Sequence, residues 1–101
     1  MSFSGLELDI IRWSEQRRII PNSTPLAQAI KAVEEINELV DALHDGNKAE
    51  AIDAVGDATV CLLNVCALMD VNLTDCLAHA YEQIKNRRGT LGDDGIFVKE
   101  A

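Results

Sequence analysis

The sequence predicts an all-α protein: a four-helix, bundle-like single domain spanning residues 1–101 that associates with copies of itself. Three observations carry that expectation. Apolar residues recur at helical spacing in four segments. Short breakers rich in Pro, Asn, Asp and Gly separate those segments. Nowhere does an apolar and polar alternation run long enough to argue for a strand. Short links make successive helices antiparallel neighbours, which is the arrangement of a small bundle.

The first predicted helix runs from about Leu6 to Arg18, with Leu6, Ile10 and Trp13 on one stripe and Arg12, Glu15 and Arg18 outside it. It ends before Pro21-Asn22-Ser23-Thr24-Pro25, a loop in which Thr24 can cap the second helix and Pro25 suits its first turn. That second helix extends to about His44, where Asp45-Gly46-Asn47 stops it. The third runs from about Ala49 to Met69. From Ala58 onward it is apolar nearly all round, more than one small chain can cover, so a homodimer or homotetramer is expected. Thr74 is placed as the cap of a fourth helix that continues to about Arg87 and is ended by Gly89. Residues 89–101 read as a C-terminal tail, with a turn at Gly92-Asp93-Asp94-Gly95 and an apolar Ile96-Phe97-Val98 expected to dock on the body or on a partner subunit.

Charge narrows the function. In 101 residues, 9 Lys and Arg face 17 Asp and Glu, a net charge of −8 that argues against nucleic acid as a partner. With 48% hydrophobic and 26% charged residues the chain is a folding sequence, not a disordered one. Cys61, Cys66 and Cys76 are odd in number, lack Cys-x-x-Cys spacing and sit in apolar helical stretches. They read as reduced core thiols of a cytoplasmic protein. The start of the chain has no basic region leading into an apolar run, and Ala58 to Met69 is too short to span a bilayer, so no membrane partner is expected.

The negative charge is concentrated. Between Ala32 and Asp57 stand Glu34, Glu35, Glu38, Asp41, Asp45, Glu50, Asp53 and Asp57 against Lys48 alone. At about 100° per residue, Gln28, Lys31, Glu35 and Glu38 fall within about 80° of one another on the second helix. On the third, Glu50, Asp53, Asp57 and Asn64 fall within about 60°. The first row by itself is equally a solvated face with Lys31 and Glu35 paired at i,i+4. The second row runs into apolar turns, where Asp57 and Asn64 fit a solvated face poorly. Stacked carboxylates on two neighbouring helices repel and call for neutralisation, which a hard divalent cation supplies.

The candidate ligands are all oxygens, and His44 and His79 lie outside the acidic rows. Mg²⁺ fits, with Mn²⁺ able to substitute, whereas zinc and non-haem iron do not. A carboxylate-held Mg²⁺ commonly completes its coordination with substrate phosphates. Lys31 and the basic run Lys85-Asn86-Arg87-Arg88 are the cations available to such phosphates, the run also serving as charge complement to a helix C-terminus.

At these residues the chain resembles the MazG-like all-α nucleoside triphosphate pyrophosphohydrolases. Their paired acidic motif is similar to Glu34-Glu35-Ile36-Asn37-Glu38, with Lys31 and Gln28 before it, followed by Glu50-Ala51-Ile52-Asp53 and Gly56-Asp57. The likeness continues through Tyr81-Glu82-Gln83-Ile84-Lys85-Asn86-Arg87-Arg88-Gly89 and so covers Trp13 to Gly89. Two registers are open for the second motif: if its aspartate is Asp57, the glutamate three residues earlier is replaced by Ala54.

The resemblance implies hydrolysis of a (deoxy)nucleoside triphosphate between the α and β phosphates, giving the monophosphate and pyrophosphate. It implies that Glu35, Glu38, Glu50, Asp53 and Asp57 hold Mg²⁺. Glu34, Glu35, Glu38 and Asp53 would form the catalytic set, with Glu34 a further ligand or a base for water. It implies that Gln28, Lys31, Asn64, Lys85, Arg88 and Trp13 contact the nucleotide, Trp13 as a wall of the base pocket. A narrower pyrophosphatase acting on a phosphoribosyl nucleotide or a dinucleotide-like substrate satisfies the same motifs. A different class also remains open, a non-catalytic helical oligomerisation or nucleotide-binding regulatory module, with Ala54 the residue that favours it.

Overall fold

The computed structural model describes residues 1–100. They form α1 (Phe3–Gln16), α2 (Ile19–Asn22), α3 (Pro25–His44), α4 (Lys48–Leu68), α5 (Leu73–Ile84), β1 (Gly89–Leu91) and β2 (Phe97–Lys99). The all-α expectation holds for the body, and two local readings change. Pro21 lies inside the single turn α2 and not in a loop, because a first-turn residue needs no intrahelical N–H partner. The tail is a β-hairpin in which Gly89, Thr90 and Leu91 pair with Lys99, Val98 and Phe97. A side chain at Gly89 would collide with the Val98 carbonyl, so that crossing requires glycine. The Ile96-Phe97-Val98 triplet stays exposed on this hairpin instead of docking on the body.

Helix ends follow local chemistry. Ser2 caps α1 by accepting from the Gly5 N–H at 3.0 Å, Thr24 caps α3 through Ala27 at 3.1 Å, and Asn47 caps α4 through Glu50 at 3.1 Å. The cap of α5 is Asn72 and not Thr74, because the Asn72 side chain accepts from the Asp75 N–H at 2.8 Å and starts the helix at Leu73. Helix α5 then stops at Ile84, a turn earlier than expected. Helix α3 ends in a Schellman turn: the Gly46 N–H reaches the Leu43 carbonyl, and Asn47 reaches Ala42 at 2.8 Å. Helix α4 ends the same way with Asp70 in the left-handed position, φ 58°.

Packing centres on the α3–α4 pair. Its seam is made of small side chains, Ala32 and Ala42 against Ala51, Ala54, Ala58 and Cys61, all buried, which lets the two backbones approach closely. Helices α1 and α2 lie on α4. The buried edge of α1 is Glu7, Ile10, Ile11 and Ser14. Leu6 and Trp13 fall outside it, at 42% and 45% exposure, because the close approach to α4 selects the small Ser14 rather than the indole. Among the thiols Cys61 and Cys66 are buried as expected, whereas Cys76 is exposed on α5.

A chain of polar contacts ties these layers together. The fully buried Ser14 hydroxyl donates to Asn64 Oδ1 at 2.6 Å, Asn64 Nδ2 donates to Gln28 Oε1 at 3.0 Å, and Gln28 Nε2 donates to Ser23 Oγ at 3.0 Å. By length and composition α4 could cross a bilayer. Its buried Asn64 is hydrogen-bonded to Ser14 and Gln28 within the packed helices.

Helix α5 buries no side chain, and α3 leaves Leu26, Ile30, Val33, Val40 and Leu43 exposed along one face. The radius of gyration is 15.9 Å, against about 13 Å for a compact chain of this length. Replacing Asn64 by Leu strands the Ser14 hydroxyl and the Gln28 amide. It is expected to cost about 2 kcal/mol and lower the melting temperature by about 10 °C in circular-dichroism melts.

Candidate functional site

The α3–α4 hairpin brings the two acidic rows face to face. Glu38 and Asp41 on α3 and Glu50, Asp53 and Asp57 on α4 line one cleft of about 490 Å³, with Ala54 between them. The spacing is what helical geometry requires: i,i+3 on α3, and i,i+3,i+7 on α4. Five carboxylates with no cation among them make a site for positive charge.

Glu35, one turn before Glu38, is 8% exposed. Its Oε1 lies 3.6 Å from Lys31 Nζ, while its Oε2 is buried with no hydrogen-bond partner. A buried carboxylate oxygen left unpaired is costly, and a cation relieves that cost. Lys31 is shared, since its Nζ also donates to Glu34 Oε2 at 3.1 Å. That hydrogen bond and the Glu34 charge, with Glu35 behind them, raise the Lys31 pKa above its ordinary value. On α4 the Cys61 thiol is also held above its usual pKa, first by burial and then by the Glu35 charge. Cys61 is a packing residue of the α3–α4 seam.

The donor set fits a hard divalent cation. All the groups are oxygens, they come from two rigid helices, and one buried oxygen is orphaned. Among the described residues no three His, Cys, Asp or Glu side chains already converge on one point at ligating distance. The carboxylates are thus gathered on one cleft and not closed around a centre.

The other candidate residues fall elsewhere. Glu34 is exposed on α3, turned to Lys31 and outside the cleft lining. Gln28 and Asn64 spend their polar atoms on the Ser14 and Ser23 contacts. Trp13 is half exposed, with the Arg17 guanidinium 5.5 Å over its ring, and it lines neither the acidic cleft nor the cavity beside it. Lys85 pairs with Glu82 at 2.8 Å, and Arg88 opens onto a different surface with Arg87 and Lys99. Within one chain the structure therefore brings together Glu38, Glu50, Asp53 and Asp57, sets Lys31 and Glu35 one turn away, and leaves Lys85, Arg88 and Trp13 apart.

Two site residues were not anticipated. Asp41 is three residues past Glu38, a spacing that signals the same face. Glu7 lines the neighbouring cavity, and only the packing of α1 on α4 reveals it. Glu50, Asp53 and Asp57, the residues of both registers of the second acidic motif, all line the cleft. Ala54, 4% exposed, lies where the helix seam meets the cleft.

Residues 14–83 match the phosphoribosyl-ATP pyrophosphohydrolase family. Among solved structures, this chain is similar to a cyanophage S-2L MazG-like pyrophosphohydrolase bound to dGDP and three catalytic Mn²⁺ ions per active site. The TM-score is 0.76 at 21% sequence identity, over 100% of this chain and 95% of that one. No curated protein matches.

MgCl₂ or MnCl₂ is expected to raise the melting temperature of the protein, by an amount that grows with metal concentration. In Glu38→Gln and Asp53→Asn most of that gain should vanish. In EDTA these variants should melt no lower than the parent, because a repelling carboxylate is gone. Equal metal-induced shifts in parent and variants would overturn the ligand assignment.

Proposed function

The chain belongs to the phosphoribosyl-ATP pyrophosphohydrolase family and is a nucleotide pyrophosphohydrolase of the MazG-like type; from that premise we propose that it hydrolyses (deoxy)nucleoside triphosphates between the α and β phosphates. The products are the nucleoside monophosphate and pyrophosphate. The observation that carries the reading is the meeting of Glu38 and Asp41 with Glu50, Asp53 and Asp57 across one cleft, beside the buried Glu35. A protein of the same fold is bound to dGDP and three Mn²⁺ ions, which supports a nucleotide and divalent cations at this cleft.

In this reading Glu35, Glu38, Glu50, Asp53 and Asp57 hold Mg²⁺, with Mn²⁺ able to substitute. Bound there, the ion supplies Lewis acidity toward the phosphates and lowers the pKa of a water. The protein's own groups do the rest. Carboxylates fixed on two helices set where the polyphosphate lies, because α3 and α4 cannot move independently across their alanine seam. Lys31, held cationic by Glu34 and Glu35, faces the charge that develops on the phosphate oxygens. Glu34, exposed and beside Lys31, accepts a proton from the attacking water or orients it.

The family match favours a second reading of the same chemistry, in which the substrate is phosphoribosyl-ATP. Both readings place the protein in the cytoplasm, where nucleotides and reduced thiols coexist. We also propose a homodimer or homotetramer, supported by the exposed apolar face of α3, the unburied α5 and the extended shape. Lys85 and Arg88 reach a bound polyphosphate only across such an assembly, since within the chain they open away from the cleft.

Pyrophosphate release from a panel of canonical and modified (d)NTPs and phosphoribosyl-ATP, in Mg²⁺, Mn²⁺ or EDTA, tests the proposal and separates its two substrates. Release should require metal and fall at least about a hundredfold in Glu38→Gln. Silence across the panel from a folded protein would instead support a nucleotide-binding module without turnover. Light scattering on the eluting protein should give two or four times the 11.0 kDa chain mass, and a monomer would overturn the assembly.

A further inference from the structure

One cation stands inside the acidic rows. Lys31 precedes Glu34 and Glu35 by three and four residues on α3, so it is the surface neighbour of both. Its Nζ lies 3.1 Å from Glu34 Oε2 and 3.6 Å from Glu35 Oε1. Among the described residues, no other Lys or Arg comes within salt-bridge distance of a carboxylate on α3 or α4.

The two partners differ in what they lose when the ammonium leaves. Glu34 is exposed, and water solvates it in the absence of the lysine. Glu35 is buried, its Oε2 is enclosed without a hydrogen-bond partner, and its Oε1 is the oxygen that Lys31 approaches. A buried carboxylate stripped of its one counter-ion carries the whole cost of its burial. Cys61 of α4 lies near enough to feel the Glu35 charge, but a thiol brings no positive charge in return. Glu35 therefore depends on a cation whether or not a metal ion is bound.

Because Oε2 is enclosed, a divalent ion shared with Glu38 has Oε1 as its contact on Glu35, the oxygen that Lys31 already covers. Two cations at one oxygen repel, so the arrangements exclude each other. The ammonium has somewhere to go: it sits closer to Glu34 than to Glu35, and its flexible stem completes the shift by bond rotation. We propose, resting on the pyrophosphohydrolase reading, that Lys31 is the resident counter-ion of Glu35, that it yields its place to the incoming divalent cation, and that Glu34 is the carboxylate onto which it retires. Loading of the metal site is then an exchange of one cation for another, and the buried carboxylate is never left bare.

Mn²⁺ binding without nucleotide separates this exchange from turnover. It is measured by calorimetry and by the metal-induced melting shift in the parent, Lys31→Met, Glu34→Gln, the double variant and Lys48→Met. Lys31→Met should melt below the parent in EDTA, because Glu35 has lost its counter-ion, and should bind Mn²⁺ about three- to tenfold more tightly. Glu34→Gln should weaken Mn²⁺ about two- to fivefold, since the ammonium is then committed to Glu35. Glu34 acts through Lys31, so the double variant should bind Mn²⁺ like Lys31→Met. Lys48→Met removes the same charge from the first turn of α4 and should stay within about twofold of the parent.

Lys31→Met that binds Mn²⁺ no more tightly than the parent, or an equal gain in Lys48→Met, overturns the exchange and leaves the pyrophosphohydrolase reading intact. A double variant far weaker than Lys31→Met makes Glu34 a ligand and overturns its part as the retiring site. If Lys31→Met does not fold in EDTA, Lys31→Gln, which keeps a hydrogen-bond donor and loses the charge, decides by the same measurements. Absence of nucleotide turnover counts against the pyrophosphohydrolase reading alone, because the Mn²⁺ affinities still test the exchange. Absence of any Mn²⁺-induced shift in all five proteins overturns the exchange itself.

Discussion

Close contact between α3 and α4 is the constraint on which everything else depends. Alanines and a cysteine at the seam leave no side-chain bulk to hold the helices apart, so the residues flanking the seam must face one another. Those flanking residues are Glu38, Asp41, Glu50, Asp53 and Asp57. Repulsion among them opposes the contact, and the buried edge of the pair, locked by Ser14, Asn64 and Gln28, opposes that repulsion. The cleft is a place where packing overrules charge, a common property of sites built to receive an ion.

Much of this was legible in the residues themselves. Helix boundaries followed from Thr24, Pro25 and Gly46, whose backbone preferences are local. The acidic face followed from spacing alone, because helical periodicity is set by the backbone and survives any tertiary arrangement. What escaped was non-local. Nothing in the order of residues says that Asn64 spends its amide on Ser14 and Gln28, since those partners meet only after α1 and α3 have both docked on α4. The inward edge of α1 was misjudged for a related reason. Trp13 is the more apolar residue, yet a tight helix contact rewards small volume, and Ser14 wins the buried position. The hairpin at Gly89–Lys99 was hidden by its brevity, as three-residue strands leave almost no alternation to read.

Cations distribute differently from anions in this molecule. Lys31 sits among carboxylates and is held charged by them. The basic residues after α5 gather on a separate surface with Lys99. A single chain thus displays an anion-rich cleft and, on a separate surface, a group of cations beside Glu100, while the apolar face of α3 lies exposed.

The short turn after α3 has a consequence for how the protein can change over time. Because Gly46 and Asn47 reverse the chain at once, every carboxylate of the cleft is supplied by one contiguous stretch from Glu38 to Asp57. The cavity wall carrying Glu7 comes from a different piece of chain, the opening turns of α1. Substitutions in those opening turns, away from Ser14, can therefore be accepted or rejected without disturbing the α3–α4 hairpin. A lineage built this way inherits its acidic cleft as one block, while the neighbouring wall varies separately.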